Sequence, residues 1–95
     1  MKEVKVFYNE KSGKNDENEV LNTIKNFFGK EENKASHVEY INPDSPEDAV
    51  RLAKKASQEN TDLVVALGGD GTINKVCGGV FEGGSKSILG IVPNG

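Results

Sequence analysis

The residues best suited to chemistry in this chain are Leu67-Gly68-Gly69-Asp70-Gly71-Thr72-Ile73-Asn74. An apolar run, Leu63 to Leu67, leads into them, and apolar residues at helical spacing follow. A strand, a glycine-rich turn and a helix in that order make a phosphate site. Glycines let the backbone approach an anion and take positive φ where the turn demands it. The helix start adds open N–H groups and the positive end of a dipole of about half a charge. Asp70 conflicts with that reading, because a bare carboxylate repels phosphate. It fits if a divalent cation bridges it to the phosphates, or if it accepts a proton or hydrogen bond from a hydroxyl. The plain alternative is a tight strand-to-helix turn with Asp70 as the helix N-cap.

The loop matches neither of two common phosphate motifs. No G-x-G-x-x-G spans it, and Gly13-Lys14 lacks both the earlier glycine, at Tyr8, and the following Ser/Thr, at Asn15, of a Walker A motif. A second polar segment, Asn9-Glu10-Lys11-Ser12-Gly13, offers a hydroxyl, an amide and a cation to a phosphate, although Glu10 opposes an anion. Asn74, one helical turn beyond Asp70 and Gly71, is placed to hydrogen-bond a phosphate or to hold the loop, whereas Lys75 is expected to point to solvent. His37 reads as structural: with no cysteine or second histidine beside it, it makes no zinc site. Cys77 reads as a core residue.

These residues need elements to position them. Val4 to Tyr8 reads as a first strand. A helix from near Asp16, with Glu19 three residues on as in a capping box, places Val20, Leu21, Ile24, Phe27 and Phe28 on one face and stops at Gly29. His37 to Ile41 reads as a second strand. Ser45 caps a second helix, Pro46 suits its first position, and Ala49, Leu52, Ala53 and Ala56 form its buried face. Leu63 to Leu67 has the near-continuous apolar character of a strand buried on both faces. Ile73, Val76, Cys77, Val80 and Phe81 mark the apolar side of a third helix, Gly83-Gly84-Ser85 breaks it, and Ile88 to Val92 reads as a fourth strand. Alternating strands and helices predict an α/β fold: a three-layer, doubly wound, mostly parallel sheet. Ligands bind such sheets beyond the carboxyl ends of the strands. The topology brings Asn9 to Gly13, Gly68 to Thr72 and Pro93-Asn94-Gly95 to that edge.

Ninety-five residues suit one small domain without an internal boundary. A net charge of −3 and scattered lysines argue against a nucleic-acid partner. One cysteine excludes an intramolecular disulfide and fits a reducing compartment. No apolar run approaches bilayer length, and Met1-Lys2-Glu3-Val4 lacks a signal-peptide core. The expected location is the cytoplasm, with a lipid substrate still accessible to an enzyme that visits a membrane surface. An apolar strand and a turn close the chain with no covering helix, which suggests a piece of a longer protein.

Gly68-Gly69-Asp70-Gly71-Thr72-Ile73-Asn74, with Val76 and Gly79, resembles the core signature of the diacylglycerol kinase family, in its bacterial lipid-kinase branch. Leu89 to Gly95 resembles the family's Pro-x-Gly motif, Asp48-Ala49 its second helix, and Asn9, Ser12 and Gly13 its Asn-Pro-x-Ser-Gly loop. Nearly the whole chain is covered. Glu10 stands where proline is usual, Asn42 near a frequent nucleotide-contacting threonine, and Lys75 in place of a common glutamate. NAD kinases carry a similar Gly-Gly-Asp-Gly run.

The resemblance implies an ATP-dependent lipid kinase whose nucleotide lies between this domain, residues 1–95, and a second, largely β domain beyond Gly95. That second domain supplies an acidic base and much of the lipid pocket. The expected reaction passes the γ-phosphoryl of Mg-ATP to a lipid hydroxyl such as that of diacylglycerol, a step of phospholipid metabolism. It proceeds mostly by positioning and charge neutralisation. ATP and Mg²⁺ are the expected cofactors, and membrane contact is peripheral, through the second domain. Asp70 is the expected catalytic residue, acting through Mg²⁺ or the acceptor hydroxyl. Asn9, Lys11, Ser12, Gly13, Asn42, Gly68, Gly69, Asp70, Gly71, Thr72, Ile73, Asn74 and Gly95 are the expected nucleotide contacts. An NAD kinase-like enzyme and a nucleotide-binding module without turnover are the rival readings, and a domain with no ligand is the bland one.

Overall fold

The computed structural model describes residues 3–9, 17–84 and 87–93. Four strands, β1 (Glu3–Phe7), β2 (His37–Ile41), β3 (Leu63–Gly68) and β4 (Ile88–Pro93), form one sheet in the order β2-β1-β3-β4, and every pairing is parallel. Three helices, α1 (Glu17–Gly29), α2 (Pro46–Gln58) and α3 (Asp70–Glu82), make the crossovers. The chain steps from β1 to β2 in one direction and from β2 to β3 and β4 in the other. Right-handed crossovers therefore put α1 on one face of the sheet and α2 and α3 on the other. The reversal leaves a switch point between β1 and β3, where a crevice opens beyond the strand ends.

Period-2 alternation explains the two cores. Val4, Val6, Val65 and Leu67 pack with Leu21 of α1, while Phe7, Val64 and Ala66 pack with Ala53 and Ala56 of α2 and Val76 and Val80 of α3. β3 lies between β1 and β4 and under helices on both faces, which is why its sequence is apolar without interruption.

Helices α2 and α3 approach closely because Gly79 faces the second turn of α2. A Cβ built on Gly79 would lie 2.5 Å from the Val50 carbonyl oxygen and 2.7 Å from the Ala53 Cβ. At the start of α2, Ser45 Oγ accepts the Asp48 N–H at 3.1 Å, and Pro46 occupies the first turn as expected.

Some expectations need correction. Phe27, assigned to the buried face of α1, is 50% exposed and packs edge-on against Phe28, with ring centroids 5.1 Å apart. Phe81, assigned to the apolar side of α3, is 77% exposed, although Val80 beside it on the same turn is buried in the core. Cys77 is only half-buried. Tyr8 lies just past β1, although its N–H still donates to the Ile41 carbonyl at 3.0 Å. The proposed start of α1 at Asp16 lies outside the described residues.

Candidate nucleotide cleft

The glycine turn follows β3 directly. Gly68 has a φ of +148°, a conformation L side chains rarely adopt, and a Cβ there would sit 3.2 Å from the Thr72 Cβ. Gly69 is the N-cap of α3, extended at φ −83° and ψ −179°, and its carbonyl accepts the Ile73 N–H at 3.0 Å. Asp70 is therefore the first helical residue, and the plain reading of it as the cap is wrong. Gly69, having no side chain, supplies no cap of its own to the first amides of α3. Among the described residues, Cβ atoms built on Gly69 or Gly71 would meet nothing within 4 Å, so no side chain crowds the turn there.

A cleft of about 370 Å³ lies beside this turn. One wall is the start of α3, with Gly71, Thr72 and Lys75. The opposite wall is the β2–α2 connection and the first turn of α2: Pro43, Asp44, Ser45, Pro46 and Ala49. Asn9, just past β1, lies between them. The cleft thus sits at the carboxyl ends of the strands, by the switch point the strand order creates. Of the two helix starts that flank it, α2 carries a serine cap and α3 begins at a glycine.

Among the expected contacts, Asn9, Gly71 and Thr72 share this cleft. Gly68 and Gly69 build the turn beside it. Asp70 is exposed in the first turn of α3, Ile73 packs partly against the core between α2 and α3, and Asn74 is exposed. Asn42 directly precedes the lining residue Pro43 but does not itself line the cleft. Pro93, paired in register with Gly68, brings the end of β4 alongside the glycine turn. Lys11, Ser12, Gly13 and Gly95 lie outside the described residues. His37, exposed at the opposite end of β2, takes no part.

Sequence reasoning missed Pro43 to Pro46, Ala49 and Lys75. Ser45 and Pro46 were legible only as a helix start; the rule that ligands bind beyond strand ends applied to β2 as much as to β1 and β3. Lys75 is exposed, as expected, but it stands on the cleft wall.

Among the described residues no group of three or more His, Cys, Asp or Glu side chains gathers to hold a metal. Asp70 fits a different arrangement. Mg²⁺ is commonly held by one or two carboxylates together with substrate phosphates and water, and Asp70 offers one exposed carboxylate in the first turn of α3.

The model of the diacylglycerol kinase catalytic domain matches residues 3–95, and the chain belongs to that family. It is 54% identical over 48 residues to a probable lipid kinase, YegS-like, of Klebsiella pneumoniae, a match covering 50% of this chain and 16% of that protein. It is 44% identical over 68 residues to a putative lipid kinase of Streptococcus pneumoniae, covering 67% of this chain and 23% of that one. A diacylglycerol kinase of Staphylococcus aureus is 44% identical over 48 residues, covering 50% of this chain and 15% of the relative. The matched stretches are thus less than a quarter of each relative's length. No solved structure matches.

Proposed function

We propose that the cleft is the nucleotide half of a lipid kinase site, and that the whole protein transfers the γ-phosphoryl of Mg-ATP to a lipid hydroxyl. The observation that carries this reading is the convergence of Asn9, just past β1, with Gly71 and Thr72, in the first turn of α3, on one cleft beside a helix start whose N-cap is a glycine. Family membership and the names of the relatives support the same class of reaction.

In this reading the amides of Asp70, Gly71 and Thr72 hold phosphate oxygens, and Asn9 closes the far side. Gly68 sets the angle at which β3 delivers the loop. Thr72 packs over Gly68 and fixes that angle. Asp70 orients the bound metal or the acceptor hydroxyl. When bound, Mg²⁺ supplies charge neutralisation at the phosphates. The acceptor oxygen bonds to the γ-phosphorus, the bond to the β–γ bridging oxygen breaks, ADP leaves, and the hydroxyl proton passes to an acidic group of a second, β-rich domain. Diacylglycerol is the acceptor class the Staphylococcus relative's name suggests. Among the described residues no helix is long and apolar enough to cross a membrane; the proposed enzyme works from the cytoplasm and meets its lipid at the membrane surface.

The test is phosphoryl transfer by the full-length protein from γ-labelled ATP to diacylglycerol in mixed vesicles, with NAD offered as the competing acceptor. Labelled lipid that depends on Mg²⁺, and that Asp70→Asn abolishes while leaving the folded signal intact, is the expected result. Labelled NADP, or full turnover by Asp70→Asn, would overturn it.

A further inference from the structure

We infer that Lys75 is a phosphate-binding residue of this cleft, a role that rests on the nucleotide reading above. Of the described residues lining the cleft, Lys75 is the one cation and Asp44 the one carboxylate, and they stand on opposite walls. Lys75 lies three and four residues after Thr72 and Gly71, so all three share one helix face. Long helical side chains lean back over the preceding turn. The ammonium is therefore carried toward the first turn of α3, whose N-cap Gly69 offers no side chain. Among the described residues Lys75 makes no ion pair: the pairs there join Lys5 to Glu39 and Glu59, and Arg51 to Asp48.

An anion at the start of α3 would thus meet backbone amides and a side-chain ammonium from the same helix. The ammonium offsets the charge of Asp70, the feature of the glycine loop least suited to phosphate. The cleft also acquires a direction, with phosphates toward Lys75 and the uncharged part of the ligand toward the β2–α2 wall.

The experiment is calorimetric titration of the full-length protein and its Lys75→Met variant with Mg-ATP, tripolyphosphate and adenosine, at two salt concentrations. Methionine keeps the length of the side chain and its helix propensity, and Lys55→Gln, on the exposed last turn of α2 away from the cleft, is the control. Lys75→Met is expected to weaken Mg-ATP and tripolyphosphate by about five- to tenfold. It should also flatten their salt dependence and leave adenosine and the Lys55→Gln control unchanged. Wild-type binding of Mg-ATP with no loss in Lys75→Met overturns this inference and leaves the nucleotide reading standing. A loss confined to adenosine also overturns it. Absence of binding by the wild type overturns both.

Discussion

Gly78 and Gly79 are neighbours on α3 and differ in what lies beyond them. A Cβ on Gly78 would meet nothing within 4 Å. One on Gly79 would meet the Val50 carbonyl oxygen at 2.5 Å, the Ala53 Cβ at 2.7 Å and the Lys54 nitrogen at 3.0 Å. Against an optimum of ~3.5–4.0 Å for carbon pairs, the Ala53 contact is short by roughly 1 Å. Two of the three atoms belong to the α2 backbone, so no rotamer change relieves them, and the helices must separate. Alanine gains about 1 kcal/mol of helix propensity over glycine at either position, and that gain cancels between the variants. What remains is overpacking, ~1–3 kcal/mol in general and here about 2–3. For a domain of this size the two melting temperatures should therefore differ by roughly 10–20 °C. Gly78→Ala lies above the wild type and Gly79→Ala below it, as measured by thermal and urea unfolding. Because α2 and α3 are also the walls of the cleft, Gly79→Ala should weaken Mg-ATP as well. Indistinguishable midpoints for the two variants would refute the close helix contact.

Further outcomes follow from the same geometry. Gly68→Ala forces a side chain into a φ of +148° and toward Thr72, and should cost ~1–3 kcal/mol in urea unfolding. Gly71→Ala meets open space and should leave the melting temperature equal or higher while lowering Mg-ATP affinity; unchanged affinity would remove the glycine loop from the site. Ser45→Ala removes the cap of α2 and should cost about 1 kcal/mol, with Ser45→Asp restoring most of it. Burial pushes the Tyr40 phenol above its ordinary value of 10.0. The unfolded chain gives up that proton first as pH rises, so the folded state holds more protons. Stability is full below 10.0 and falls as the pH climbs through and beyond it. Tyr40→Phe should remove that share of the alkaline loss in pH-resolved denaturation.

The layer order was legible because each strand and helix carries its own pattern. Leu63 to Leu67 is apolar throughout since it is buried on both faces, and Ser45-Pro46 announces a helix start that the Ser45 cap realises. Phe27 and Phe81 were misread because periodicity gives a helix face but not how much of that face its neighbours cover; Val80 is buried and Phe81, one residue on, is 77% exposed. At the candidate site, Gly71 and Thr72 of the glycine run were legible because three glycines around an acid between a strand and a helix stand out in sequence. Pro43, Asp44 and Lys75 were not, because each is ordinary locally. They become part of a site only when strand order sets the β2–α2 connection across Asn9 from the start of α3.

The central claim is that the start of α3 binds the phosphates of a nucleotide carried with magnesium. An amide-resolved NMR titration of the full-length protein with ATP, with and without Mg²⁺ and with NAD as control, tests it most directly. Magnesium-dependent shifts at Gly69 to Thr72, with smaller ones at Asn9 and Ser45, are the predicted result. Shifts confined to other surfaces, or none at millimolar ATP in a folded sample, would contradict it.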